Sequence, residues 1–294
     1  MSPNTPYFFA LGANLCFASG SLVFARFSRQ TGPVWMNAFK ACVALAAFGL
    51  TVPLVGGWSD SGWRGIGALL FSGALGLGIG DIFLLSSFAR VGAGRTLMVF
   101  SFQPLILGLL AYLLLGQPVH ARHFVAIGFF MLCIGTLALE EYGGAQKNRV
   151  PLALGFALIG MLLDATGLLI TRSVFDAFPA MTPLEGNLHR LTGAVLFFGV
   201  YAMFRPVRLL ATLKELSFRD RVTATIAALV GTYLSLMLYL AAIQKGHLAS
   251  LVGITITSTT WASAIECLID RTLPSRFLVV AFCFFLVGIF VLLG

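Results

Sequence analysis

An uncharged run of eighteen residues, Met98 to Leu115, is the feature that most limits what this chain can fold into. As a helix, a run of that length crosses the roughly 30 Å of hydrocarbon in a bilayer. The polar pair Gln103-Pro104 interrupts it. A membrane helix tolerates such a break where neighbouring helices or a cavity satisfy the freed carbonyl group. The run therefore predicts a membrane helix with a polar break along its path.

The whole chain has the composition of a multi-pass membrane protein. Hydrophobic residues make up 59% and charged residues 10%, with a mean hydropathy of +0.95, whereas soluble domains carry about 25% charged residues. We therefore expect an all-α protein of the cell inner membrane without a folded soluble domain. Ten apolar segments are predicted to be its transmembrane helices: Tyr7–Phe24, Val34–Val55, Ile66–Phe88, Thr96–Leu115, Phe124–Leu139, Leu152–Thr171, Leu184–Phe204, Val222–Ile243, Leu248–Ile269 and Phe277–Leu293.

The net charge of +8 is spread over loops and helices. No run of Lys and Arg has the density of a nucleic-acid patch, and loops facing anionic lipid account for the basic balance better. Between the seventh and eighth apolar segments, residues 205 to 221 alternate Leu and Val with basic residues. That alternation predicts a short amphipathic helix on the membrane surface.

The two halves of the chain share a weak internal repeat. The polar linker Tyr142 to Val150 lies at the midpoint, and a shift of about 150 residues places five apolar segments over five. Asn37-Ala-Phe-Lys40 then coincides with Asn187-Leu-His-Arg190. Since each unit has an odd number of helices, the copies must insert in opposite orientations, which is the inverted-repeat plan of many secondary transporters.

Three short motifs in the first half resemble the end of the EamA-type repeat of the drug/metabolite transporter superfamily. They are Ala93-Gly94-Arg95-Thr96, then Gln103-Pro104, then the LLLGQ of Leu113–Gln117. The resemblance implies ten transmembrane helices built from two inverted five-helix repeats, residues 1–145 and 146–294. It implies a secondary transporter, most similar to exporters of neutral or aromatic amino acids, with a site between the repeats near the midplane of the membrane.

Two carboxylates lie deep within predicted membrane helices. Asp81 is two-thirds along the third segment and Asp164 is near the middle of the sixth. Because an ionised side chain at the bilayer centre costs about 2.5–3.5 kcal/mol, each needs a reason to be there. Either carboxylate is a proton relay or a partner for a cationic group of the substrate, or it is a structural group paired to Lys40 or Arg190 on a neighbouring helix.

Two cations and two amides occupy matching positions in the repeats. Lys40 and Arg190 lie about two turns into the second and seventh segments, with Asn37 and Asn187 one turn earlier on the same face. The cations either recognise a carboxylate or gate the pathway, or they extend to the headgroups with their apolar stems along the helix.

Further polar and aromatic residues are candidates for the cavity between the repeats. These are Phe100 and Gln103 in the fourth segment and Trp261 and Glu266 in the ninth. The hydroxyl-rich run 255 to 260, TITSTT, cannot face lipid cheaply, so part of it should meet water or other helices.

The sequence argues against an enzyme. It contains no HExxH motif, nucleophile elbow or acidic magnesium cluster, and the five cysteines show no metal-ligand spacing, so no metal and no cofactor is expected. The favoured function is export of small metabolites by a monomer that contacts lipid and does not bind nucleic acid. The alternatives are export of another metabolite or drug, an uncoupled channel-like subunit, and an intramembrane enzyme acting on lipid through Asp81, Asp164 or His189.

Overall fold

The computed structural model shows a helical protein. It describes residues 5–55, 58–59, 62–100, 102–103, 106, 125, 128–129, 131–133, 135–136, 139, 149–245, 258–259, 261–262, 265, 267–268, 271 and 273–293. Within these ranges the regular secondary structure is entirely helical. The helices are α1 Thr5–Gln30, α2 Pro33–Val55, α3 Gly62–Val91, α4 Ala93–Phe100, α5 Arg149–Ala177, α6 Pro183–Phe204, α7 Leu209–Glu215, α8 Phe218–Gln244 and α9 Arg276–Leu293.

Five of these helices are long and apolar enough to span a membrane, namely α1, α2, α3, α5 and α8. Helix α6 with the short α7 gives a sixth if the two count as one bent span, with a 92° change of direction between them. They match six of the ten predicted segments, and their number indicates an integral, multi-pass membrane protein. Most residues of the predicted fourth and ninth segments, and seven of the sixteen residues of the fifth, lie outside the described ranges.

Local sequence signals explain where several helices begin and end. Gly32 and Gly92 have φ values of 95° and 84°, a conformation in which a Cβ atom would be strained, and each separates two helices. The side chain of Thr182 caps α6 by accepting a hydrogen bond from the backbone N–H of Glu185, and Pro183 occupies the first helical position. Helix α7 lies within the connection where an amphipathic helix was predicted.

The helices pack in a crossed arrangement between the two halves of the chain. Helix α1 lies against α8, α5 lies against α3, and α2 lies against α6, while α3 also crosses α6. Ser72, Gly76 and Gly80 form a small-residue face of α3, in which Ser72 Oγ donates to the carbonyl oxygen of Gly167 at 2.6 Å. A Cβ atom at Gly80 would lie 3.3 Å from the carbonyl oxygen of Gly160. This face therefore lets α5 approach α3 closely.

Two π-helical segments interrupt the long helices α3 and α8. They cover Ala74–Gly80 and Leu229–Leu234. A π-helical turn replaces i→i+4 bonds by longer i→i+5 bonds, and such turns are frequent at functional sites. Both segments face the middle of the helix assembly, because Gly231 comes against Gly20 of α1 and Gly76 comes against Asp164 of α5.

A buried aromatic cluster joins the ends of α1, α2 and α3. Its members include Phe24, Phe27, Trp35, Phe39 and Phe88, each no more than 5% exposed. The rings of Trp35 and Phe39 stack with centroids 5.1 Å apart. The cluster lies beside the residues that form the functional cavity, and it fixes the ends of the helices that line it.

Candidate functional site

A cavity lies at the centre of the helix assembly, where α1, α2, α3, α4, α5 and α8 meet. The space that admits water has a volume of about 120 Å³. The described wall combines apolar and aromatic residues with charged, amide and hydroxyl side chains: Ala13, Asn14, Phe17, Lys40, Leu77, Asp81, Leu84, Leu97, Phe100, Gln103, Asp164, Gly231, Thr232, Ser235, Leu236, Tyr239 and Ser258. A concave wall in which polar groups converge among apolar residues is typical of small-molecule sites.

The first charged pair in the wall joins α2 to α3. Lys40 Nζ donates to Asp81 Oδ2 at 2.5 Å, and the two side chains are 4% and 10% exposed. The same ammonium lies 5.5 Å above the ring of Phe24. Lys40 therefore does not extend to the headgroups, because its charge is matched inside the protein by a carboxylate and an aromatic face.

The second pair joins α5 to α6 and is looser. Asp164 Oδ2 accepts a hydrogen bond from Gln103 Nε2 at 2.8 Å, and its Oδ1 lies 3.9 Å from Arg190 Nη2. Arg190 is fully buried, and within the described residues none of its three guanidinium nitrogens has a hydrogen-bond acceptor. The guanidinium balances the charge of Asp164 through space and is not part of the described cavity wall.

A glycine of the first π-helical segment makes room for this second pair. A Cβ atom at Gly76 would lie 3.1 Å from Asp164 Oδ1 and 3.6 Å from Arg190 Nη2. Next to it, Ser72 Oγ is within 2.8 Å of Thr171 Oγ1, which itself donates to the Gly167 carbonyl. These contacts hold α5 against α3 so that Asp164 faces the cavity.

The two matched asparagines support the helices beside the cavity. Asn37 Nδ2 donates to the carbonyl oxygens of Leu77 and Gly78, at 3.0 and 2.9 Å, at the end of the first π-helical segment. Asn187 Nδ2 donates to the carbonyl oxygen of Leu236, just after the second segment, at 2.9 Å. Both side chains are fully buried. Their position assigns them to the support of the wall, one turn away from the cations that belong to the charged pairs.

Two contacts connect the beginning of α2 and of α6 to the opposite half of the chain, at the start of α7 and in the loop before α3. Trp35 Nε1 donates to the carbonyl oxygen of Leu209 at 3.2 Å. The backbone N–H of Ser59 donates to both carboxylate oxygens of Glu185, at 3.1 Å each. His189 lies beneath the second contact, with Nε2 3.8 Å from Glu185 Oε1. This His–Glu pair lies outside the described cavity wall. Its Glu185 carboxylate holds the loop before α3 through the N–H of Ser59.

The cavity brings together five of the ten predicted site residues, namely Lys40, Asp81, Phe100, Gln103 and Asp164. Arg190, Asn37 and Asn187 lie behind them. The side chain of Trp261 is 49% exposed and is not part of the described wall, and Glu266 lies outside the described residues.

No residue of α8 was among the predicted site residues, although α8 contributes Tyr239 and four other residues to the wall. The hydroxyl-rich run is placed as expected at two positions, since Ser258 lines the cavity and Thr259 Oγ1 donates to the carbonyl oxygen of Leu97.

Comparison with known proteins gives a family match in the first part of the chain. The sequence model of the EamA-like transporter family matches residues 4–139, so the predicted resemblance is confirmed over the first half of the chain. A solved crystal structure of another protein, 13% identical, aligns over 99% of this chain and 96% of its own length with a TM-score of 0.67, which shows a shared fold. The search of curated proteins found no match.

Proposed function

We propose that this protein exports small metabolites, first of all neutral and aromatic amino acids, by alternating access through the central cavity. The observation that carries the proposal is the wall of that cavity. It combines the Lys40–Asp81 ion pair and Asp164, which faces the buried Arg190 behind the wall, with aromatic and hydroxyl side chains at the centre of the helix assembly. Buried ionisable groups in a membrane helix are expensive and mark substrate or ion pathways.

The size and charge of the cavity suit a zwitterion. Its volume of about 120 Å³ has room for roughly ten water molecules. That number is close to the number of non-hydrogen atoms in a mid-sized amino acid. Lys40, Asp81, Asp164 and Arg190 together carry no net charge. Phe17, Phe100 and Tyr239 offer surface for an apolar or aromatic side chain.

The packing supports two inverted repeats, residues 1–145 and 146–294. In the proposed repeat, α1, α2 and α3 correspond to α5, α6 and α8. This correspondence turns the contact of α1 with α8 into the contact of α5 with α3, and it leaves the contact of α2 with α6 unchanged. Both contacts occur. The correspondence also relates the two π-helical segments and the two buried Asn-x-x-cation motifs.

The π-helical segments give the proposed cycle a place to bend. Each lies in a long helix that passes the cavity, and each contains residues of the wall, Leu77 in α3 and Gly231 and Thr232 in α8. A wider turn has a weaker hydrogen-bond ladder than the α-helix on either side. In our proposal, α3 and α8 bend there in turn as access to the cavity changes from one side to the other.

Counterflow in liposomes tests the function. Purified protein is reconstituted into vesicles loaded with unlabelled phenylalanine or leucine, and uptake of the labelled amino acid is followed. We expect transient accumulation, which Asp164→Asn removes and which the matched variant Asp176→Asn, on the exposed surface of the same helix, retains.

The substrate panel distinguishes the alternatives. Movement of another metabolite or drug, without any amino acid, would contradict the substrate assignment. Turnover of a lipid, without flux of any solute, would contradict the transporter assignment.

A further inference from the structure

We propose that Asp164 binds a positively charged nitrogen, so that the cavity recognises its ligand through an ammonium group and has no dedicated contact for a carboxylate. The inference rests on the proposed function, because it assigns the chemical class of the ligand of the same cavity. It goes further because it predicts that the protein contacts the ammonium group of a zwitterion and not its carboxylate.

The exposure of the four charged side chains carries the argument. Asp164 and Asp81 are 20% and 10% exposed, whereas Lys40 is 4% exposed and Arg190 is fully buried. A ligand in the cavity therefore meets carboxylate oxygens before it meets either cation. The wall therefore presents negative charge to a ligand, although the formal charges of the four groups sum to zero.

The two carboxylates differ in what already binds them. Asp81 accepts the ammonium of Lys40 at 2.5 Å. Asp164 accepts only a neutral amide, from Gln103, among the described side chains, and the guanidinium facing its other oxygen is at 3.9 Å, beyond hydrogen-bonding distance. A carboxylate has room for about four donors, so Asp164 is the carboxylate with unused acceptor capacity.

A ligand carboxylate finds no comparable position. To reach Lys40 it would have to separate the ammonium from Asp81, which removes one partner from a buried ion pair and is strongly unfavourable in a low-dielectric interior. Arg190 is fully buried and is not part of the described wall. The orphaned guanidinium nitrogens of Arg190 are therefore not open to an anionic ligand; they hold a positive charge behind Asp164.

Aromatic rings complete the site. Phe17, Phe100 and Tyr239 line the same cavity as Asp164. The faces of aromatic rings attract ammonium groups and also accept an apolar side chain. The chain already shows this combination nearby, since Lys40 is held by a carboxylate and the ring of Phe24 together.

Three probes with one phenyl group separate the possibilities: 2-phenylethylamine, 3-phenylpropionate and phenylalanine. Binding of each to purified wild-type protein is measured by isothermal titration calorimetry. We expect the amine and phenylalanine to bind with similar affinity and the propionate at least tenfold more weakly. Asp164→Asn should weaken amine binding at least tenfold, and Asp176→Asn should leave it unchanged.

The inference is overturned if the propionate binds as tightly as the amine, if the amine does not bind at millimolar concentration, or if Asp164→Asn binds it like the wild type. Should that variant not fold, the probe series on the wild type decides alone. Vesicles that transport phenylalanine without inhibition by the amine refute the inference and leave the proposed function standing. Vesicles that transport no amino acid, although the amine binds through Asp164, refute the proposed function only.

Discussion

Two glycines set the distance between α3 and α6, and an alanine at either position should force these helices apart. A Cβ atom at Gly73 would lie 1.7 Å from the carbonyl oxygen of Arg190, and one at Gly193 would lie 1.9 Å from the carbonyl oxygen of Leu70. Real Cβ atoms essentially never come within 3.0 Å of such an atom. The helices must therefore separate by more than an ångström, because a backbone carbonyl cannot rotate away as a flexible side chain can.

The cost follows from that geometry. Adding a methyl group to a well-packed core costs about 1–3 kcal/mol, and a clash with backbone belongs at the upper end of that range. We expect Gly73→Ala and Gly193→Ala each to lower the free energy of unfolding by about 2–3 kcal/mol. Gly67→Ala in α3 and Gly199→Ala in α6 are matched controls, since a Cβ atom there meets nothing within 4 Å. Each control should be neutral or gain up to about 1 kcal/mol from helix propensity.

Unfolding of the purified protein in mixed micelles, with increasing dodecyl sulfate, measures these free energies. The double variant Gly73→Ala/Gly193→Ala should cost less than the two single changes added together, because the first alanine has already moved the helices apart. If Gly73→Ala is as stable as Gly67→Ala, then α3 and α6 do not cross at these glycines, and the position of Arg190 behind Asp164 has to be abandoned.

Two further predictions concern the buried polar groups. Lys40→Met should lower the free energy of unfolding by about 3–5 kcal/mol in the same assay, because it leaves Asp81 buried without its partner. The double variant Lys40→Met/Asp81→Leu should recover most of that loss. Equal stability of the single and double variants would show that the pair is not coupled. Asn37→Leu and Asn187→Leu should each cost about 1–3 kcal/mol by leaving carbonyl oxygens of α3 or α8 unsatisfied, and a variant as stable as the wild type would contradict the support role assigned to that asparagine.

Much of the membrane architecture could be predicted from the sequence, because the length and hydropathy of each segment depend only on consecutive residues of the chain. The segment from Val34 to Val55 was placed almost to the residue, and α2 covers Pro33–Val55. The segment predicted as Leu152–Thr171 is longer in the structure, Arg149–Ala177, because a helix continues past the apolar run when its ends meet water or headgroups. The repeat of Asn and cation one turn apart also identified buried residues of α2 and α6, of which Lys40 lines the cavity and the others lie behind it.

The pairing of the charges could not be predicted. Asp81 and Asp164 were each compatible with Lys40 or Arg190, and the choice depends on the rotation of helices that are apolar on nearly every face. For the same reason the residues of α8 that face the cavity, such as Tyr239, were not identified. The π-helical segments were missed as well, since the glycine-rich sequence before Asp81 is equally compatible with an ordinary helix packed closely on its neighbour.

The contacts at the beginning of α2 and α6 provide the last prediction, because they hold loops in opposite halves of the chain. Trp35→Phe keeps an aromatic ring to stack on Phe39 but removes the N–H that binds Leu209. It should speed amide hydrogen exchange in residues 205–217 at least tenfold and leave residues 58–59 unchanged. Glu185→Leu, which removes the acceptor for Ser59, should give the reverse pattern. Because alternating access requires the two faces to open separately, faster exchange in both loops from either variant alone would argue against independent closure of the two sides.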